Sequence, residues 1–334
     1  MKKVLITGCA GLLGNHFTRY LLDKGYDVFG IDNLSGGYSD YLDNRLKPNL
    51  RFSDIDLLNQ KGLDFIFTDF KPDYVYHFAA YAALGLSPFI RNYNYSNNIV
   101  ASVNVINSCV NYNVKKIIFS SSMDVYGNQK SPFTEDMTPV PEDPYGIAKY
   151  AIELDLKNAK QQFGLDYTIV RPHNIIGIYQ NIWDKYRNVV GIWIRRILDG
   201  EPMQVYGDGT QRRAFSDVKY YMKPFEQLMT TGSGEIFNLG ADEDVSLASL
   251  AMMLREIADD FGYDAKIEFK EARNEVKIAY SDHTKAKTLL FFEDNTDLHQ
   301  LIIEMFEWAI KQPKQQVKQF EYEIEKNIYS YWKK

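Results

Sequence analysis

Short apolar runs alternate with longer amphipathic stretches through the first half of the chain. Lys3–Ile6, Val28–Ile31, Tyr74–His77, Lys116–Ser120 and Tyr167–Arg171 are brief and rich in β-branched or aromatic residues. Near-continuous apolar runs of this length suit parallel strands buried on both faces. Between them, Leu12–Asp23, Leu58–Phe70, Ile90–Asn111 and Tyr145–Phe163 carry a helical pattern. Strand and helix in alternation predict an α/β fold of the Rossmann type, a doubly wound parallel sheet with right-handed crossovers. After about Arg171 the rhythm becomes irregular, with loops at Gly207-Asp208-Gly209 and Gly232-Ser233-Gly234, and a smaller C-terminal α/β region is expected. Glu235–Gly240 again reads as a short buried strand, so the chain is expected to return to the first sheet within 214–240. Residues 1–171 with that return make one expected domain, and 172–334 mainly the other. Asp297–Tyr331 reads as an amphipathic helical stretch, expected to pack against the body.

Composition narrows the function. Hydrophobic residues make up 45% of the 334 and charged residues 25%, an ordinary globular balance. The formal net charge of -6 offers no basic face to nucleic acid. An anionic ligand must then be held by local amides and a few arginines. Cys9 and Cys109 are too few for a disulfide framework and form no metal-spaced cluster, so no metal is expected. The first apolar run is too short for a signal-peptide core, and no run of about 18 apolar residues suggests a membrane span. A cytoplasmic protein is the expectation.

Chemistry enters at the first strand–helix junction. Val4–Ile6 runs into Thr7-Gly8-Cys9-Ala10-Gly11-Leu12-Leu13-Gly14. Glycines there permit a tight turn, close approach of backbone to a pyrophosphate, and close helix–strand packing. The helix that follows aims its first amides at the phosphates. Asp32 ends the second strand 18 residues after Gly14, near the spacing of roughly 20 expected for a ribose-binding carboxylate. Such a carboxylate repels a 2′-phosphate and favours NAD over NADP. Further on, Tyr145 and Lys149 stand four apart at the start of a predicted helix, on one face. A phenol of ordinary pKa near 10 is a poor base, and a neighbouring ammonium and a positive nicotinamide ring are expected to lower it. The strand Lys116–Ser120 delivers Ser120-Ser121-Ser122 to the ligand side of the sheet, just before Tyr126-Gly127.

Taken together, the Thr7–Gly14 loop, Asp32, His77-Phe78-Ala79-Ala80, the serine-rich strand end and Tyr145 with Lys149 resemble the extended short-chain dehydrogenase/reductase superfamily. The likeness runs over essentially the whole chain and is strongest to its NAD-dependent nucleotide-sugar epimerases and dehydratases, in particular the UDP-glucose 4-epimerase-like proteins. It implies a catalytic set of Ser122, Tyr145 and Lys149. It implies cofactor contacts from Gly8, Ala10, Gly11, Leu12, Leu13, Gly14, Asp32, Asn33, Ser35, Gly36, Ser120, Tyr145 and Lys149. Asp54 and Ile55 match the pair on the adenine, and Phe78, Ala79 and Ala80 the backbone along the phosphates and ribose. Asn98 resembles the Asn that supports the site from the long helix, and Pro172 and His173 sit where the nicotinamide amide is approached. For His173 a structural histidine is the preferred reading. On the substrate side the resemblance points to Ser122, Met123, Asp124, Tyr145, Asn174, Asn188, Val189 and Tyr206, with Arg213 and Arg273 gripping the diphosphate.

Dehydratases of this superfamily carry an Asp–Glu pair where this chain has Met123-Asp124. Met donates no proton, so 4,6-dehydration is disfavoured. Asp124 is open to three readings: contact with a sugar hydroxyl, base in a 3- or 5-epimerisation, or a solvated or salt-bridged side chain. The expected activity is 4-epimerisation of a UDP-hexose through a transient 4-keto sugar. A nucleotide-sugar dehydrogenase or other modifier is the alternative, and a non-enzymatic NAD sensor a third. The resemblance also implies a homodimer formed through Ile90–Asn111 and Tyr145–Phe163.

Overall fold

The computed structural model describes residues 2–42, 46, 49–272 and 278–332. Its first half contains β1 (Lys3–Thr7), α1 (Leu12–Asp23), β2 (Asp27–Ile31), β3 (Leu50–Ser53), α2 (Gln60–Phe70), β4 (Tyr74–His77), α3 (Arg91–Tyr95), α4 (Ala101–Asn111), β5 (Lys116–Ser120), α5 (Pro144–Phe163) and β6 (Tyr167–Pro172). The second half adds β7 (Ile175–Ile176), α6 (Val189–Leu198), β8 (Met203–Tyr206), β9 (Arg212–Ala214), β10 (Ser216–Asp217), α7 (Met222–Gln227), β11 (Ile236–Leu239), β12 (Asp244–Ser246), α8 (Leu247–Asp260), β13 (Ile267–Lys270), β14 (Ile278–Ala279), α9 (Thr284–Leu290) and α10 (Leu298–Ile310).

Seven parallel strands form the main sheet in the order β11-β6-β5-β4-β1-β2-β3. Val4, Leu5, Ile6, Ile117 and Ile118 are fully buried because helices cover both faces. One apolar layer joins α1 and α7 to the sheet through Phe17, Tyr76, Tyr221 and Phe225. The other sets α2, α4 and α5 on the opposite face through Phe67, Val105, Ile152 and Leu156. A separate core around Trp193, Leu254, Ile302 and Phe306 holds α6, α8 and α10 together.

Three elements depart from the pattern reading. The edge strand β3 has Arg51 and Phe52 exposed, so its sequence lacks the apolar run of a central strand. The long stretch before β5 is not one regular helix: a π turn over Ser96–Val100 separates α3 from α4. That widened turn directs Asn98 inward, where Oδ1 accepts from Tyr81 N at 2.8 Å and Nδ2 donates to Tyr81 O at 3.1 Å. The third departure corrects the C-terminal helix, which stops at Ile310. Pro313 lacks an amide proton and disfavours helix in the residue before it. Beyond it the chain runs over the body to a short turn at Ser330–Trp332, burying Ile328 and Trp332 against Tyr81, Phe89 and Tyr186.

A buried ion pair fastens α5 to the sheet. Arg171 of β6 donates from Nε and Nη2 to Glu153 at 3.0 and 2.6 Å, and Ser121 Oγ donates to the same carboxylate at 2.6 Å. Removing one partner strands the other charge in an apolar interior. Glu153→Gln is therefore expected to lower unfolding stability by about 3–5 kcal/mol in urea melts. A loss below about 1 kcal/mol would mean that the pair does not hold the helix.

Candidate active site

Strand order reverses between β4 and β1, and an open α/β sheet binds its ligand beyond the carboxyl ends at that point. A cavity of about 370 Å³ lies there. The turn after β1 forms one wall. Gly8, at φ +73, donates its N–H to Ile31 O at 2.7 Å. A Cβ on Gly8 would lie 2.7 Å from Ala79 N, and one on Gly14 would lie 2.1 Å from Gly8 O. Only bare glycine lets the turn pack this closely on Ala79 and on the start of α1, which leaves its backbone amides open to a phosphate. Asp32 stands at the far end. Its Oδ2 accepts from Ala10 N at 2.9 Å and its Oδ1 from Leu34 N at 2.8 Å, leaving a second lone pair on each oxygen for a ribose hydroxyl. Burial raises this carboxyl above the usual range, and the two amides pull it back. A bare glycine cradle with a carboxylate at one end fits NAD and rejects a 2′-phosphate.

Tyr145, Lys149 and Ser122 meet on the opposite wall. Asp143 caps α5, its Oδ1 accepting from Tyr145 N and Gly146 N at 2.8 and 3.1 Å, with Pro144 in the first turn. Lys149 donates Nζ to Ser120 O at 2.6 Å and lies 5.8 Å from the Tyr145 ring centroid. Burial lowers Lys149 to about 7, against the pull of Glu153. The Tyr145 phenol, expected to be acidified by this ammonium, instead lies well above its ordinary value in the protein itself. Burial is the first cause and the Asp124 charge the second, while Ser122 and Arg187 act the other way. The ammonium is turned to the Ser120 carbonyl and partly discharged by burial, so a positive nicotinamide ring bound here would have to supply most of the pull.

Asp124 completes the cluster. Ser122 Oγ donates to Asp124 Oδ2 at 2.9 Å, and Asp124 N–H returns to Ser122 Oγ at 3.2 Å. Burial, then the charge of Asp143, pushes the Asp124 carboxyl up to about 7, opposed by Ser122 and Arg213. One hydroxyl proton cannot serve both neighbours. While Asp124 holds it, phenolate at Tyr145 is disfavoured.

Most of the expected residues line the cavity: Gly8, Gly11, Leu12, Leu13, Gly14, Asp32, Asn33, Ser35, Gly36, Ile55, Phe78, Ala79, Ala80, Ser120, Ser122, Asp124, Tyr145, Lys149, Pro172, Asn174 and Asn188. Several stand elsewhere. Ala10 contributes its N–H to Asp32 rather than a face to the cavity. Asp54 is exposed, and the wall beside Ile55 is made by Asp56 and Leu57. Asn98 works from behind the wall through Tyr81. Met123 is buried in a cluster with Val125, Tyr126 and Phe133, because the 3-10 turn at Met123–Tyr126 swings it away from Ser122. His173 points to His283, Nε2 to Nε2 at 2.8 Å, and burial lowers it to about 3, a structural histidine.

Asn188 caps α6 by accepting from Val190 N at 3.0 Å, which leaves Val189 in the first helical turn. Tyr206 donates its hydroxyl to Gln204 at 3.0 Å, outside the cavity lining. Arg213 is also outside the lining, donating Nη1 to Arg212 O at 2.9 Å, with its charge still felt at Asp124. Arg273 lies outside the described residues. Gln180, Asn181 and Arg187 line the cavity without having been expected. They lie in an irregular segment where no periodicity marks an inward position.

A family model, the NAD dependent epimerase/dehydratase family, matches residues 4–240. The chain belongs to this family: it is an enzyme built on a Rossmann-type fold, and its cofactor is NAD. UDP-glucose 4-epimerase of Caenorhabditis elegans is 28% identical over 93% of this chain and 98% of its own. The structure is similar to that of UDP-glucose 4-epimerase of Thermotoga maritima with UDP-glucose, at a TM-score of 0.85 and 33% identity, covering 92% of this chain and 99% of that one. It is also similar to UDP-glucuronic acid 4-epimerase of Bacillus cereus in complex with UDP-glucuronic acid and NAD, with a TM-score of 0.83, 27% identity, and 92% and 99% coverage. No helix among the described residues is long and apolar enough to cross a membrane.

The raised Asp124 carboxyl keeps a proton that the unfolded chain releases near pH 4, so folding stability falls as pH rises from about 4 to about 7. Asp124→Asn removes that slope. Above pH 7 the variant is expected to be more stable than wild type by at most roughly 4 kcal/mol, with the two converging below pH 4. Urea unfolding at pH 4, 6 and 8 measures it; parallel curves for the two proteins would contradict the assignment.

Proposed function

We propose that the chain is a cytoplasmic nucleotide-sugar 4-epimerase acting on a UDP-hexose, its substrate held mainly by residues within 172–334. The observation that carries this reading is the meeting of Ser122, Tyr145 and Lys149 across one cavity from the glycine turn. Bound NAD supplies a reversible hydride acceptor. Tyr145 takes the proton of the sugar hydroxyl, directly or through Ser122, and returns it at the end of the cycle. Lys149 stands 5.8 Å from the Tyr145 ring centroid and is itself fixed by Ser120 O. Asn174 and Asn188, which line the cavity, are assigned to the diphosphate, with Arg213 reaching it only by turning from Arg212 O, so that the keto sugar turns about its tether while the nucleotide stays fixed. With Met123 turned into the core, Asp124 stands without a second acid–base partner at position 123, and the paired acid and base of a dehydration are not assembled there.

Asp124 favours one second reading. A ketone at ring carbon 4 acidifies the protons on its neighbours, and a carboxyl near neutrality at this wall is suited to remove one. A 3- or 5-epimerisation would follow. The enzyme is further proposed to act as a homodimer through the segments Ile90–Asn111 and Tyr145–Phe163, where Val100, Ile147 and Leu154 are exposed.

Incubation with UDP-, GDP-, CDP- and dTDP-sugars in D2O, read by NMR, tests these readings together. Inversion at carbon 4 of a UDP-sugar is expected, with no deuterium in the ring and no accumulation of NADH. Deuterium at carbon 3 or 5 would move the assignment to the second reading, and NADH formed in proportion to substrate would make the enzyme a dehydrogenase. Tyr145→Phe should reduce turnover by about a thousandfold or more while leaving NAD bound. Full activity in that variant would remove Tyr145 from the mechanism.

A further inference from the structure

Three residues from the second half of the chain converge on the loop after β2. Asn181 Nδ2 donates to Gly36 O at 3.0 Å, and Lys318 Nζ donates to Ser35 O. The guanidinium of Arg187 lies over Gly36, where a Cβ would come within 2.4 Å of Nη2. Ser35 and Gly36 belong to the cofactor wall of the cavity, and Arg187 lines the same cavity.

Arg187 is set there by a buried scaffold. Its Nε pairs with Asp184 Oδ2 at 3.1 Å, and its guanidinium stacks 4.6 Å from the Tyr81 ring centroid. Asp184 is 1% exposed and also accepts from Tyr81 Oη at 3.0 Å and Tyr186 N at 2.9 Å. Lys318 arrives on the C-terminal segment, whose backbone bridges to this scaffold through Lys318 N and Trp183 O at 3.0 Å. Its ammonium lies 4.9 Å from the ring centroids of Tyr81 and Phe320. Arg187 takes the Asp184 carboxylate, while the Lys318 ammonium is held by the Ser35 carbonyl and the two rings. Such an excess of positive charge in a water-poor place is costly unless an anion joins it.

The position of Arg187 says which anion. Gly37, next to Gly36, packs on the glycine turn, where a Cβ would lie 2.3 Å from Ala10 O, so the guanidinium over Gly36 stands beside the turn whose amides are open to phosphates. The middle of a dinucleotide is its diphosphate. We propose that Arg187, paired with Asp184 while Lys318 of the C-terminal strap holds the loop at Ser35, clamps the cofactor diphosphate from the wall facing the glycine turn. The inference rests on NAD as the cofactor and is independent of which sugar is processed. A planar fork of two donors suits phosphate oxygens, and the charge-assisted bonds resist exchange with water.

The test is NAD binding by the full-length protein, followed by titration calorimetry and by the rate at which bound NAD exchanges with labelled NAD. Arg187→Lys keeps the partner charge for Asp184 and removes the fork; it is expected to weaken NAD binding about tenfold or more. Lys318→Met keeps the apolar stem on Tyr81 and Phe320, and is expected to speed NAD release severalfold with melting temperature of the NAD-free protein unchanged. UDP is titrated in parallel. A loss confined to UDP, with NAD affinity and exchange as in wild type, would overturn the proposal by assigning Arg187 to the substrate diphosphate. Unchanged binding of both ligands would overturn it as well. Failure of the wild-type protein to bind NAD would instead refute the cofactor assignment, and is read from the same control.

Discussion

The carboxylate of Glu153 joins three parts of the molecule that chemistry requires to be in register. It takes two donors from Arg171 on β6 and one from Ser121 at the end of β5, and it belongs to α5. Lys149 and Tyr145 lie one and two helical turns before it on the same helix, so the rotation and height of α5 decide where the ammonium and phenol stand. Glu153 is 0% exposed and Arg171 1%, a burial whose desolvation offsets much of the Coulomb attraction. Its contribution is therefore geometric as much as energetic. A purely apolar contact at this place would tolerate a slide of α5 along the sheet; a two-donor fork on a fixed carboxylate does not.

That placement also explains how the reacting groups are charged. Burial acts in opposite senses on acids and bases, raising Tyr145 and Asp124 and lowering Lys149. All three are consequently closer to neutrality in the protein than they would be in water. The chain alone does not produce a phenolate. A positive ring beside Tyr145 is the missing contribution, and only the oxidised form of the cofactor carries it. On the proposed reaction, Tyr145 would take a proton most readily beside the oxidised, positive cofactor, which would couple proton removal to hydride removal. The hydrogen bond from Ser122 to Asp124 adds a second control on the same proton.

Legibility in the sequence followed burial and local geometry. Strands buried on both faces, such as Lys116–Ser120, announce themselves by composition alone, whereas the exposed edge strand Leu50–Ser53 does not. The glycine turn was readable because φ and close contact there demand glycine, and Tyr145 with Lys149 because a helix puts residues four apart on one face. The π turn at Ser96–Val100 has no pattern of its own and is produced by tertiary contacts of Asn98. Met123 was misplaced for a similar reason: adjacency to Ser122 says nothing about which way a 3-10 turn carries the next side chain. Arg187 and Lys318 are 131 positions apart, and their convergence on Gly36 and Ser35 depends on the whole fold.

The C-terminal segment gives this last point its physical sense. An apolar face with helical spacing continues past Ile310, yet Pro313 ends the helix and the following aromatics bury themselves one by one over Tyr81, Phe89 and Tyr186. The exchange of helix for an extended path trades internal hydrogen bonds for reach, because extended chain covers more than twice the distance per residue. Reach is what brings Lys318 to the loop at Ser35. An enzyme that restores its coenzyme in every cycle has no need to exchange it, but it must still admit and release a sugar. On the proposed function, the strap anchored in aromatic packing would serve the first demand at the Ser35 loop, and Asn174 and Asn188, assigned to the substrate diphosphate, would serve the second.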